Sequence, residues 1–381
     1  MHRLLRNPRA LGREAPYPDR LRAIQSREAL AVAAREIRSW PGYHPTPLVA
    51  LHGMAAAAGV ARIWYKDEAT RFGLGSFKAL GGAYAVRRAL DREGRSARDV
   101  TVTCATDGNH GRAVAWAAQR FGCRAVIYMH ERVSHGRIQA VERYGARVVR
   151  TPGNYDESVR RAAAEAKRKG WIVVSDTSYD GYVDVPRDVM QGYALMADEA
   201  LAQLPASEWP THVFVQGGVG GLAASVCAFF WETAGPRRPR FIVVEPDKAD
   251  CLYRSAESGK PVSVPGELDT VMAGLACGEP SLIAWRILEP GADAFITIPD
   301  EAAISCMRTL ADGADGDFPI VAGESGVAGL AGLLAAAASG DLDLGVESRV
   351  LVFGTEGATD PELYRRLLAG DQRQPKSSSG P

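Results

Sequence analysis

Lys78 is the residue whose neighbours best equip it to act as a nucleophile. It stands in Arg71-Phe72-Gly73-Leu74-Gly75-Ser76-Phe77-Lys78-Ala79-Leu80-Gly81-Gly82-Ala83-Tyr84, where it enters a helix-forming run. Small neighbours let a planar ligand approach the backbone, and packing beside Phe77 desolvates the amine, which lowers its pKa and exposes the free base. Such an amine can form a Schiff base with a carbonyl. On local composition alone, a surface lysine at a helix start is the competing reading.

Four further stretches place polar groups at strand ends. Cys104-Ala105-Thr106-Asp107-Gly108-Asn109-His110-Gly111 follows the apolar run Val100 to Thr103 and opens a helix near Arg112; Asp107 suits an Asx turn or a helix cap as well as chemistry. Gln216-Gly217-Gly218-Val219-Gly220-Gly221-Leu222 leads from the strand His212 to Gln216 into a helix, and a glycine turn at a helix N-terminus gathers N–H donors for a phosphate. The same residues carry a rival: Gly218-x-Gly220-x-x-Ala223, with Glu245 ending the next strand, fits a dinucleotide fingerprint and would make the chain an NAD-dependent oxidoreductase. Val174-Ser175-Asp176-Thr177-Ser178-Tyr179-Asp180-Gly181-Tyr182 adds a second carboxylate after an apolar strand. Gly354-Thr355-Glu356-Gly357, after Val350 to Phe353, presents the Thr355 hydroxyl at a strand end.

Taken together these segments resemble fold-type II pyridoxal-phosphate enzymes, and within them they are similar to the diaminopropionate ammonia-lyases. The likeness runs from Gly42-Tyr43 to Asp360 and includes T-D-G-N-H-G-R-x-V-A-W from Thr106, D-T-x-x-x-G-Y from Asp176 and G-E-S-G from Gly323. It implies pyridoxal 5'-phosphate as cofactor, joined to Lys78 and packed by Phe77, with Asn109 at its phenolic oxygen and Thr355 at its pyridine nitrogen. Gly217, Gly218, Val219, Gly220, Gly221 and Leu222 would hold the phosphate. A hydroxyl partner does not force the ring nitrogen to be protonated, so the ring is a weaker electron sink, which favours rapid expulsion of a β-substituent.

The resemblance further implies Lys78, Asp107 and Asp176 as catalytic residues in an α,β-elimination on 2,3-diaminopropionate, with Ser76, Tyr155, Tyr179 and Glu324 around the substrate. Lys78 and Asp107 would serve the L- and D-isomers from opposite faces, and an extra carboxylate suits a substrate with two ammonium groups. The chain departs from the family at Tyr179 and Asp180, where tryptophan and glutamate are usual. That departure keeps a serine or threonine dehydratase and a β-replacement enzyme open as alternatives, beside the NAD rival and a non-catalytic protein that merely retains the fold.

The elements that must position these residues read as α/β: two open, mainly parallel α/β lobes with the cofactor in the cleft between them. From Asp99 onward, apolar runs at Val100 to Thr103, Ala125 to Met129 and Arg147 to Arg150 alternate with helical patterns, implying βαβ crossovers and a parallel sheet. A second series follows from a helix at Val189 to Leu204, with strands Phe241 to Glu245, Phe295 to Ile298 and Arg349 to Phe353 and an alanine-rich helix from Gly326 to Ala338. The expected division is a mobile basic arm over 1–20, a large cofactor-binding lobe over 21–80 and 190–371, a small lobe over 81–189, and a disordered tail over 372–381.

Composition narrows the partners. The chain of 381 residues is 46% hydrophobic and has 45 basic against 45 acidic residues, so nothing advertises a polyanion, and nucleic acid is a poor guess. No apolar run reaches bilayer-spanning length, and no membrane partner is expected. The cysteines at 104, 123, 227, 251, 277 and 306 lie far apart without metal spacing, so no metal is expected and free thiols in a cytoplasmic protein are favoured. Cys251 and Cys277 fall in family-like segments, where a disulfide is conceivable. A small amino-acid substrate and a homodimer complete the family expectation.

Overall fold

Strands that are apolar along their whole length need helices on both faces, and the chain meets that need twice. The computed structural model describes residues 2–153, 155–313 and 316–370. The strands are β1 (Arg3–Arg6), β2 (Leu48–Ala50), β3 (Arg62–Asp67), β4 (Thr101–Ala105), β5 (Arg124–His130), β6 (Arg147–Thr151), β7 (Ile172–Val173), β8 (His212–Gln216), β9 (Arg240–Pro246), β10 (Ala294–Ile298) and β11 (Arg349–Gly354). A seven-stranded sheet has the order β1-β10-β9-β8-β11-β3-β2, parallel except for its two edge strands. A four-stranded sheet, β6-β5-β4-β7, is parallel throughout. The inner strands β8 and β10 are buried at every residue, as a sheet covered on both faces requires. No helix among the described residues is long and apolar enough to cross a membrane.

Most elements lie where the apolar runs put them, and the exceptions have local causes. The helix expected from Val189 begins at Asp184, because Pro186 falls in the first turn, where a missing N–H costs nothing. The alanine-rich helix begins at Ala328 rather than Gly326, since Gly326 and Val327 both donate to the Gly323 carbonyl in a preceding turn. The basic N-terminus is not a mobile arm. Arg3–Arg6 pairs antiparallel with β10, and the Asn7 amide donates to the carbonyls of Glu289 (2.8 Å) and Ala292 (2.7 Å). Its exposed arginines, Arg3 and Arg6, flank half-buried Leu4 and Leu5, and charge on an edge strand discourages further strand addition. The serine-rich tail from Gln372 lies outside the described residues.

A buried charge network anchors the turn that carries Lys78. Arg71 Nη2 lies 2.7 Å from both Glu68 Oε1 and Glu199 Oε2, and Lys66 Nζ lies 2.8 Å from Glu199 Oε2. None of the four side chains is more than 1% exposed. Two cations against two anions leave no net buried charge, and Lys66 also donates to the Thr46 carbonyl and to Gln203. Glu199 belongs to the helix Asp184–Gln203, so the network ties β3 and the following turn to that helix. Beyond Arg71, Phe72 adopts a left-handed conformation (φ 51°), which costs about 1–3 kcal/mol and persists only when its surroundings over-determine it. Its ring stacks at 5.0 Å on Trp116 and 6.0 Å from Trp40.

Removing one partner of such a network leaves an uncompensated buried charge. Arg71→Met is expected to destabilise the fold by about 3–5 kcal/mol, seen as a lower denaturant midpoint at unchanged slope. An unmoved midpoint would show that the network contributes nothing to holding this turn.

Candidate functional site

Lys78 starts the helix Lys78–Glu93, one turn after the charge network, and Phe77 N donates to the Thr355 carbonyl at 3.0 Å. The glycines after it do not serve ligand approach, as their small size suggested. A Cβ on Gly81 would lie 2.6 Å from the Val189 carbonyl oxygen, and one on Gly192 only 2.0 Å from that of Leu80. They let this helix and Asp184–Gln203 pack backbone to backbone, which fixes where Lys78 emerges.

The lysine amine sits 2.7 Å from Asp176 Oδ2, with the Phe77 and Tyr193 ring centroids at 5.2 and 5.6 Å. Burial among these rings pushes the ammonium toward its neutral form, as expected for a lysine beside Phe77. The attraction of Asp176, together with Tyr193, outweighs it, and the net effect raises the lysine. Burial likewise works against the Asp176 carboxylate, but Lys78 and His110 hold it well below the usual range. The expectation of a depressed lysine is thus reversed: here the pair is ammonium and carboxylate, and Asp176 is the group to which a proton on Lys78 is tied.

Between β4 and the helix Asn109–Phe121, Thr106 supplies the turn's side-chain bonds. Its hydroxyl oxygen accepts from Gly108 N (3.0 Å) and Gly111 N (3.2 Å), and a Cβ on Gly111 would lie 2.3 Å from the Thr106 methyl. Asp107 is therefore not spent on capping, and its Oδ1 lies 2.9 Å from His130 Nε2. Asn109 does reach the cavity, where its amide donates to Glu356 Oε2. Glu356 accepts from Ser325 N through its other oxygen. Nearby, Arg137 from the helix His135–Glu142 reaches Glu324 Oε1 at 2.9 Å and the Asp107 carbonyl at 3.3 Å.

Gly218, Val219, Gly220, Gly221 and Leu222 line the cavity at the start of the helix Gly221–Ala234, whose first N–H groups have no intrahelical acceptor. Gly220 is left-handed (φ 95°). Gly217 does not line it: its N–H donates to the Val244 carbonyl at 2.7 Å, and a Cβ there would meet Leu252 and Val243 at 2.8 Å. Across the cavity the Thr355 hydroxyl accepts from Gln216 Nε2 at 2.7 Å, which leaves its own hydrogen free for a ligand acceptor.

Glu245, the acid on which the dinucleotide reading depends, is buried under this loop. Its two oxygens accept from Leu252 N (2.9 Å) and Tyr253 N (2.7 Å), capping the helix Cys251–Ser258. No ribose can reach it.

Lys78, Phe77, Asp107, Asn109, Tyr155, Asp176 and Thr355 all line one cavity. Ser76, Tyr179 and Glu324 do not. Ser76 is buried in a backbone bridge to Glu356. Tyr179 is 53% exposed and stacks on Tyr182 at 5.0 Å. Glu324 turns to Arg137, and its carboxyl is pushed up to about 7 by burial and then by Glu356. All six cysteines are free thiols; Cys277 lines the cavity and Cys251 Sγ faces the Gly218 carbonyl at 3.6 Å. Sequence reasoning passed over Tyr193, Arg137, His130 and Glu356. Only Glu356, adjacent to Thr355 at a strand end, carried a local signal.

A family model described as pyridoxal-phosphate dependent enzyme matches residues 39–356. The chain is 44% identical over 350 residues to the diaminopropionate ammonia-lyase of Escherichia coli K12, covering 86% of this chain and 88% of that protein. It is 40% identical over 359 residues to that of Salmonella typhimurium, covering 86% and 89%. The crystal structure of the Escherichia coli enzyme in complex with an aminoacrylate-PLP azomethine reaction intermediate superposes with a TM-score of 0.89 at 39% identity, covering 98% of each chain.

Burial pushes the Glu245 carboxyl up to about 8 from an ordinary 4.5. The fold therefore keeps a proton that the unfolded chain releases, and this contribution to stability is full below about pH 4.5 and lost as pH rises through about 8. Glu245→Gln is expected to flatten the fall in stability across that window, read from denaturant midpoints at each pH. Parallel curves for the two proteins would exclude it.

Proposed function

Because the chain belongs to the pyridoxal-phosphate-dependent enzymes, and among them to the diaminopropionate ammonia-lyases, we propose that it eliminates ammonia from 2,3-diaminopropionate, with hydrolysis of the product giving pyruvate and a second ammonia. The observation that carries this reading is a lysine amine and two carboxylates, Asp107 and Asp176, lining one cavity. A substrate with two ammonium groups is matched by two acids, and a hydroxyl-bearing analogue would leave one of them without its partner.

The cavity suits the cofactor. A side chain at Gly218, where a Cβ would lie 3.3 Å from Cys277 Sγ, would intrude on the space beside the helix N-terminus that a phosphate needs. Gly220 is required instead by its left-handed backbone and by Leu252 and Leu288, which a Cβ would approach to 3.2 Å. In this reading Lys78 would hold pyridoxal phosphate, Gly218 to Leu222 would take its phosphate, and Asn109 and Thr355 would offer hydrogen bonds to it. The cofactor supplies the electron sink that makes the substrate α-proton acidic. Lys78 takes that proton from the L-isomer and Asp107 from the D-isomer. Asp176, in contact with Lys78 Nζ, holds the β-ammonium and exchanges protons with the lysine. Tyr155 packs over the substrate.

The dehydratase and β-replacement alternatives rested on Tyr179 and Asp180, which are exposed and do not line the cavity. Their departure from the family pattern thus falls outside the cavity lining, which supports the ammonia-lyase reading over these alternatives. The two sheets suggest the lobes, with 81–189 as the small one and 21–80 with 190–371 as the large one. We also propose a cytoplasmic location, supported by the free thiols, and a homodimer, to be checked by light scattering of the loaded protein.

Incubation with D- and L-2,3-diaminopropionate, serine and threonine, measuring ammonia and 2-oxoacid together, should give two ammonia per pyruvate from diaminopropionate. Faster turnover of serine or threonine at equal yields would make the protein a dehydratase. Lys78→Ala should lose both turnover and the cofactor that borohydride fixes to the protein. Asp107→Asn should slow the D-isomer by about 10²–10⁴-fold while the L-isomer is far less affected; an equal loss on both would remove the assignment of separate bases.

A further inference from the structure

We propose that His130 is a positioning residue for Asp107, holding the carboxylate as the base for the D-isomer; the inference rests on the reading above. The sheet register brings the two together. Ala105 of β4 pairs with Tyr128 of β5, and Thr106 N extends the ladder by donating to the Tyr128 carbonyl at 3.0 Å. Two residues further along each chain stand Asp107 and His130, on the same side of adjacent parallel strands. His130 Nε2 accordingly lies 2.9 Å from Asp107 Oδ1.

The other ring nitrogen determines which one carries the proton. His130 Nδ1 accepts the backbone N–H of Arg132 at 3.3 Å, so a neutral ring holds its hydrogen on Nε2, toward Asp107. The imidazole is itself held at the strand end, where Glu131 N donates to the Thr151 carbonyl and Val133 N to that of His130. Asp107 Oδ1 is buried and lacks an aligned hydrogen-bond partner, and among the described residues His130 is the one side chain within ion-pair distance of this carboxylate. At this distance, alignment of Oδ1 with Nε2–H would fix one carboxylate oxygen and orient Oδ2 independently of the backbone turn. Arg137 acts elsewhere, on the Asp107 main-chain carbonyl, so it cannot substitute.

A base held by one oxygen presents the other in a defined direction, and a loss of that alignment by an ångström is worth up to about a hundredfold in rate. Since Lys78 serves the L-isomer, the effect should divide the isomers. In the pyridoxal-phosphate-loaded enzyme, His130→Phe should lower the D-to-L ratio of kcat/KM by about ten- to a hundredfold, through kcat rather than KM. His130→Gln, whose side-chain N–H can replace Nε2–H, should recover much of that ratio. A ratio unmoved by His130→Phe, or not recovered by His130→Gln in a folded protein, would overturn the proposal.

A second readout needs no substrate. In protein labelled with ¹⁵N at its seven histidines, the resonances lost in His130→Gln should be those of an Nε2–H tautomer, and Asp107→Asn should shift its Nε2. An Nδ1–H tautomer, or an Nε2 that ignores Asp107→Asn, overturns the pairing even where both isomers turn over as proposed. A wild-type enzyme inactive on both isomers overturns the substrate reading instead, and the resonance alone then decides the pairing.

Discussion

A lysine ammonium taken out of water must be paired or lose its proton, and the contact between Lys78 and Asp176 is how this protein meets that constraint. The two residues come from different sheets: Lys78 follows β3 of the large sheet and Asp176 follows β7 of the small one. The pair therefore does two jobs. It sets the charge state of the amine and draws the two sheets together at the cavity, between the rings of Phe77 and Tyr193.

Other polar contacts cross the same boundary. Asn109 donates to Glu356, Ser134 to Asp360 at 2.8 Å, and Arg137 reaches Glu324 and, at 3.8 Å, Asp360. Each joins a residue after β4 or β5 to one near or beyond β11. Such charge-assisted bonds are directional, so they set the spacing of the cleft in a way that apolar contact alone cannot. Behind them, the network of Lys66, Glu68, Arg71 and Glu199 holds the lysine turn from the opposite side. The cavity thus has Lys78 held at its base and its walls pinned across.

The glycines divide by what surrounds them. Gly81 and Gly192 exist for helix packing, Gly217 for packing under β9, Gly218 for the open space beside a helix N-terminus, and Gly220 for a left-handed turn packed against Leu252 and Leu288. A one-dimensional pattern cannot separate these uses, because each only requires the absence of a Cβ. The dinucleotide reading failed for the same kind of reason: its spacing is present, but Glu245 at the end of β9 is turned inward to cap a helix.

The parallel α/β architecture was legible in the sequence, since β-branched runs alternating with amphipathic segments leave few other ways to bury both faces of a strand. So were Lys78, Asp107, Asn109, Asp176 and Thr355, whose types at strand ends and helix starts mark where backbone geometry exposes side chains. The edge strand Arg3–Arg6 was not legible, because two leucines between arginines acquire meaning only against β10, nearly the whole chain away. Nor were Tyr193 and Arg137, which reach the cavity through packing between elements, or His130, which meets Asp107 only through the pairing of β4 with β5. The charge state of Lys78 was read in the wrong direction from its neighbour Phe77, because its electrostatic partner is 98 residues away in sequence. Local sequence determined which groups could do chemistry and the elements that carry them. Only the tertiary structure decided their charges, their partners and which of them share the cavity, because desolvation and Coulomb energy depend on distance in space and not on distance along the chain.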